Sequence, residues 1–97
     1  MANVTFISRM TCRPEHEQQF IALCRDLESY VAQHEPRTLL FKFYRLREAN
    51  RFAVLESFPG EAEEHAHMNS AKLAQVGPKI VACLDGTWAR EYLDDLT

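Results

Sequence analysis

Thr38–Arg47 reads TLLFKFYRLR, Arg51–Phe58 reads RFAVLESF, and only Glu48, Ala49 and Asn50 stand between them. Both runs are dense in aromatic and branched side chains, the composition of β-strands, and the short polar connection suits a hairpin. Alternate side chains of a strand face opposite ways. Leu39, Phe41 and Phe43 therefore share one face, and Leu40, Tyr44 and Leu46 share the other. A hairpin that is apolar on both sides needs two covers, and that need decides the fold.

Outward from the hairpin, VTFISRMTCR (residues 4–13) alternates with period two and predicts a strand, with Val4, Phe6, Met10 and Cys12 on one face. Thr5, Ile7, Arg9, Thr11 and Arg13 take the other face. Pro14 suits a first helical position, and Glu15 and Glu17 complement a helix N-terminus. Phe20, Cys24, Leu27 and Val31 then recur at helical spacing up to Pro36, leaving Gln18, Ala22, Arg25 and Ser29 on the wet side. After Pro59-Gly60 a second helical pattern starts at Glu61, with Ala62, Ala66, Asn69 or Ser70, and Leu73 along one side. Gly77-Pro78 predicts an interruption, after which Ile80, Val81 and Leu84 continue to a stop at Asp85-Gly86. TWAREYL (87–93) alternates as a last strand, and Asp94–Thr97 remains as an acidic tail.

The order is β-α-β-β-α-β, read as a single domain over residues 1–97. It predicts an α+β, ferredoxin-like fold: a four-stranded antiparallel sheet with both helices on one face. Two helices leave the second sheet face uncovered, and an open apolar face of that extent is rare on soluble monomers. The expectation is a homodimer through the sheet face, closing a dimeric α+β barrel.

Composition narrows the partners. The net charge of -3 comes from interspersed acidic and basic residues with no basic block, so no nucleic-acid partner is expected. No apolar run approaches the roughly eighteen residues that span a bilayer, and MANVTFISRM lacks a basic region followed by an apolar one. A soluble cytoplasmic protein without membrane association is the reading. Cys12, Cys24 and Cys83, odd in number and set in apolar segments, fit reduced packing residues of the cytosol. No glycine-rich loop follows a strand, so no dinucleotide or phosphate cradle is expected.

Two of the four histidines stand in EEHAHMNS, Glu63–Ser70. On a helix, positions i and i+2 point about 200° apart, so His65 and His67 cannot chelate one ion. No cysteine pair or HExxH offers further ligands, and no metal is expected. At i to i+4, His65 can pair with Glu61 and His67 with Glu63, surface contacts worth a few tenths of a kcal/mol.

The order of elements, together with Glu56-x-Phe58, Ala62, Ala66-His67 and Ser70, resembles the antibiotic biosynthesis monooxygenase family of dimeric α+β barrel proteins. The resemblance covers nearly the whole chain and includes Arg13, Pro14 and Phe20 at the first helix. It implies a small pocket between sheet and helices in each subunit. It also implies one of three kinds of activity: cofactor-independent oxygenation of polycyclic phenols or quinols, isomerisation in quorum-signal processing, or haem degradation. The haem-degrading members carry an asparagine, a tryptophan and an iron-binding histidine where this chain has Ser8, His67 and the neighbourhood of Gly77, which disfavours that activity. Lys72 stands where a second histidine is common.

The function expected from the resemblance is cofactor-independent monooxygenation of a small aromatic, phenolic or quinol-type metabolite by dioxygen, with no cofactor. A proton-transfer isomerase of a small carbonyl metabolite, or a non-catalytic dimeric ligand-binding module, is the alternative. His67 would be the base, since histidine as a residue type can take up a proton near neutral pH, and Glu56 its orienting partner or the alternative base. For the substrate, Tyr44 and Trp88 would stack, Arg9 would stabilise an anionic enolate, Asn69 would donate to an oxygen, and Phe58 is the motif's aromatic residue.

Overall fold

The computed structural model describes residues 3–96, so Thr97 of the acidic tail lies outside the described residues. Strand β1 spans Val4–Thr11, a 3-10 turn Pro14–His16 leads into helix α1 at Glu17–His34, and the hairpin strands are β2 at Leu40–Arg45 and β3 at Arg51–Phe58. Helices α2, Glu61–Met68, and α3, Ala71–Ala82, precede β4, Ala89–Leu93. The sheet order is β2-β3-β1-β4 with every pairing antiparallel. The fold is therefore α+β and ferredoxin-like, as the pattern of elements predicts.

Register sorts the side chains into rows. On the inner face Tyr92, Phe6, Glu56 and Phe41 form one row across the four strands, and Arg90, Ser8, Val54 and Phe43 form the next. The outer face carries Glu91, Ile7, Leu55 and Lys42, flanked by the row of Leu93, Thr5, Ser57 and Leu40 and the row of Ala89, Arg9, Ala53 and Tyr44. The helices cover only the inner face. α1 buries Phe20, Cys24, Leu27 and Val31, the four residues its spacing selects. They join Met10, Cys12, Phe52, Val54, Val76, Ile80, Cys83 and Leu84 in one core, where the rings of Phe20 and Phe52 lie 4.8 Å apart.

The end of β1 is tied to the end of α3 by a bridge between Cys12 and Leu84, by Arg13 N–H donating to Cys83 O at 2.9 Å, and by Asp85 N–H donating to Thr11 O at 2.8 Å. All three cysteines are free thiols and buried. At the hairpin, Asn50 takes a φ of 62°, a left-handed conformation that asparagine tolerates better than most residues. β2, Leu40–Arg45, is shorter than Thr38–Arg47, although Leu46 N–H still donates to Arg51 O at 2.8 Å beside the turn. Trp88 likewise lies just before β4 rather than inside a strand from Thr87.

The second helical region departs from expectation in two ways. Its break falls at Asn69-Ser70, where Ser70 Oγ accepts from Leu73 N–H at 3.1 Å as the N-cap of α3 and Asn69 Nδ2 donates to His65 O at 2.8 Å. Gly77-Pro78 sits within α3 instead of interrupting it. Proline forfeits one intrahelical hydrogen bond there, but Val76 and Ile80 on either side are buried in the core, and their packing holds the helix. The break also turns α2, so that Ala62 and Ala66 are exposed while Glu64 and His67 are buried. Among the described residues no helix is long and apolar enough to cross a membrane.

Candidate functional site

Between the inner sheet face and the helices lies a cavity of about 170 Å³. Met10, Leu27, Phe43, Val54, Ile80 and Trp88 make its apolar wall, and Ser8, Glu56, His67 and Arg90 are its polar groups. An apolar pocket with a few convergent polar side chains is the usual form of a small-molecule site. A second cleft, about 360 Å³, is lined by Asn3, Val4, Thr5, Glu61, Glu64, Tyr92 and Asp94 and has no comparable apolar wall.

The polar end comes from three strands and one helix. β3 presents Glu56, β1 presents Ser8, β4 presents Arg90, and α2 lowers His67 onto them. His67 is 2% exposed and lies between the rings of Phe41 and Phe58, with centroids 5.0 and 5.5 Å from its own. Its Nδ1 is 2.8 Å from Glu35 Oε1, and its Nε2 is 3.5 Å from Glu56 Oε1. Ser8 Oγ, Glu56 Oε1 and Arg90 Nε are buried without a hydrogen-bond partner in the protein. Buried polar groups normally find partners, so three unmet ones around a single cavity suit a polar ligand.

Burial pushes the Glu56 carboxyl up from 4.5 to about 7, against the nearby Arg90 charge, which pulls it down, and with Glu64 and Glu35 adding to the rise. A carboxyl titrating near neutrality can hold or accept a proton at ordinary pH. Arg90 also lies over the Phe6 ring, 4.1 Å from its centroid. Glu64 in turn accepts from the Tyr92 hydroxyl at 2.9 Å, which holds α2 against β4.

Of the residues singled out by sequence, His67, Glu56 and Trp88 meet at the cavity. Phe58 is fully buried behind His67 and outside the cavity wall. Tyr44 and Arg9 stand on the outer sheet face, because alternation sends them there; Arg9 pairs with Glu91 at 2.8 Å. Asn69 spends its amide on the end of α2, outside the cavity. His67 does not pair with Glu63, which binds Arg37 at 3.0 Å. His65 is exposed, so the two histidines do take different faces.

Sequence reasoning missed Ser8, Arg90 and Glu35. The first two carried a signal, since each is a polar residue on the apolar face of an alternating strand. Glu35 carried none: it reads as the polar end of α1 before Pro36. Among the described residues no group of three or more His, Cys, Asp or Glu side chains is arranged to hold a metal ion.

Comparisons with known proteins agree with this architecture. No curated protein matches the chain significantly. Solved structures do: a Caulobacter crescentus protein assigned by name to the antibiotic biosynthesis monooxygenases superposes with a TM-score of 0.92 at 21% identity, over 99% of this chain and 92% of that one. A conserved protein from Methanosarcina mazei gives 0.88 at 21% identity, over 97% and 93%. A Nitrosomonas europaea protein, also named for antibiotic biosynthesis monooxygenase, gives 0.89 at 14% identity, over 98% and 91%. At such identities the likeness is one of fold. The family model described as antibiotic biosynthesis monooxygenase matches residues 3–77, which is most of the chain. With that match beside the fold, the chain belongs to the antibiotic biosynthesis monooxygenase family.

Proposed function

We propose that this chain, as a single domain over residues 1–97, is a cofactor-independent monooxygenase acting on a small phenolic or quinol-type metabolite. The observation that carries the reading is the buried pair of His67 and Glu56, 3.5 Å apart, opening on an apolar cavity. A cavity near 170 Å³ suits one aromatic ring, since an apolar cavity of about 150 Å³ in another protein takes benzene. Trp88 at its edge offers a stacking surface, and Arg90 and Ser8 offer donors to a phenolate oxygen.

In this reading the pair takes the proton of the substrate hydroxyl, a transfer made efficient by a group titrating near neutral pH. The electron-rich anion passes one electron to dioxygen, and the two radicals combine to form a carbon–oxygen bond. Return of a proton to the peroxide and loss of the ring hydrogen then break the O–O bond and release water. The phenol leaves as a quinone, and one dioxygen is consumed for each water formed.

The site belongs to one subunit of a cytoplasmic homodimer. The pairing surface is the outer sheet face, where Ile7, Leu40 and Leu55 are partly covered by their neighbours and Tyr44 and Leu93 are 42% and 44% exposed. These apolar side chains, on a sheet already covered on its other side, call for a second copy.

Oxygen consumption with catechol, methylhydroquinone and related one-ring phenols, in metal-stripped protein, tests the reading. Uptake abolished by His67→Ala is expected, and uptake unchanged in that variant would remove His67 from the mechanism. Turnover of a carbonyl compound without oxygen would favour proton-transfer isomerisation, and tight binding without turnover a binding module.

A further inference from the structure

His67 stands between two carboxyl groups, and its two contacts are unequal: 2.8 Å from Nδ1 to Glu35 and 3.5 Å from Nε2 to Glu56. The shorter contact needs a hydrogen between its atoms, and an ionised acceptor makes such bonds shorter and stronger. The Glu35 side chain is 18% exposed and that of Glu56 only 7%. Burial raises the Glu56 carboxyl to about 7, so of the two it is Glu56 that is driven toward its neutral form. The rings of Phe41 and Phe58 pack against the imidazole.

The geometry points to Glu35 as a positioning residue: by accepting the Nδ1 proton it fixes His67 in the tautomer whose bare Nε2 faces Glu56 and the cavity. Glu35 itself lies outside the cavity wall and acts only through the imidazole. The proposal rests on the monooxygenase reading of the same site. Its consequence is that the substrate proton ends on Nε2, breaking one O–H bond and forming one N–H bond. The imidazolium so formed is balanced by the Glu35 carboxylate.

A carboxamide at this position reverses the arrangement. The side-chain NH₂ of Glu35→Gln donates to Nδ1, the ring proton moves to Nε2, and the base is blocked. In the serine-protease triad the corresponding carboxylate-to-carboxamide change costs about 10⁴-fold in kcat.

Long-range ¹⁵N–¹H spectra of His67 read the tautomer directly, alongside oxygen uptake with catechol and methylhydroquinone. Nδ1–H is expected in the wild type and Nε2–H in Glu35→Gln, with kcat lowered roughly 10²- to 10⁴-fold and KM nearly unchanged. Glu35→Asp is expected to restore the wild-type tautomer and part of the rate, and thermal unfolding of each variant separates loss of fold from loss of tautomer. A wild-type Nε2–H tautomer, or an unchanged tautomer and kcat in Glu35→Gln, would overturn the role of Glu35. If the wild type oxidises neither probe, the monooxygenase reading fails, and the spectra alone then decide whether Glu35 sets the tautomer.

Discussion

Glu56 carries the pH dependence of this molecule, because its carboxyl is held near 7 in the fold, mainly by burial, and titrates at 4.5 when unfolded. Between those values the folded chain keeps a proton that the unfolded chain has released, so the contribution of Glu56 to stability falls as pH rises through that window. A shift of that size corresponds to a loss on the order of 3 kcal/mol above neutrality. Glu56→Gln keeps the shape without the charge and is expected to flatten the slope. Urea titrations from about pH 4 to about pH 8 measure this directly, and equal slopes in both proteins would refute it. Arg90→Gln removes the positive charge that pulls Glu56 down, and is expected to move the upper end of the window to higher pH. At this scale Glu56 and His67 were legible through the resemblance of Glu56-x-Phe58 and Ala66-His67 to the family's motif, whereas helix periodicity alone set Ala62 and Ala66 on the inner side, where the structure buries Glu64 and His67 instead. Glu35 stayed hidden because its meeting with His67 spans 32 residues and depends on how the end of α1 approaches α2.

The elements differ in how openly their sequences declare them. α1 is legible because Phe20, Cys24, Leu27 and Val31 repeat at helical spacing and the structure buries these same four. β3 is legible because a run dense in aromatic and branched residues starts just past the Asn50 turn and is closed by Pro59-Gly60. The α2–α3 junction is not, since Gly77-Pro78 is louder punctuation than Ser70, yet the cap at Ser70 ends one helix and starts the next. Its hydroxyl is the only side-chain acceptor described for the first turn of α3. Ser70→Ala is therefore expected to cost about 1 kcal/mol and Ser70→Gly only a few tenths. Denaturation midpoints of the two variants check the order, and a larger loss in the glycine variant would mean that the cap is not what holds the junction.

For the whole molecule, the decisive surface is the sheet face that no helix covers. Leu55→Arg places a charge in the middle of the outer-face row of Ile7, Leu55 and Lys42, and is expected to shift sedimentation from dimer to monomer while leaving the inner core intact. A wild type that sediments only as monomer at micromolar concentration would end the barrel proposal. The two-sided apolarity of the hairpin made that face visible in the sequence, whereas the inner cavity was not, because its shape depends on how α3 closes over the sheet. The three thiols lead somewhere else. Cys12, Cys24 and Cys83 are 0%, 3% and 2% exposed, and burial raises the pKa of each. An aromatic disulfide reagent needs a thiolate in contact with water, so labelling proceeds only as fast as the core comes apart. The protein thus contains its own clock for global opening. A single labelling phase for all three sulfurs, at the unfolding rate extrapolated from denaturant, is the expected record, and one sulfur reacting ahead of the others would mark where the core first lets go.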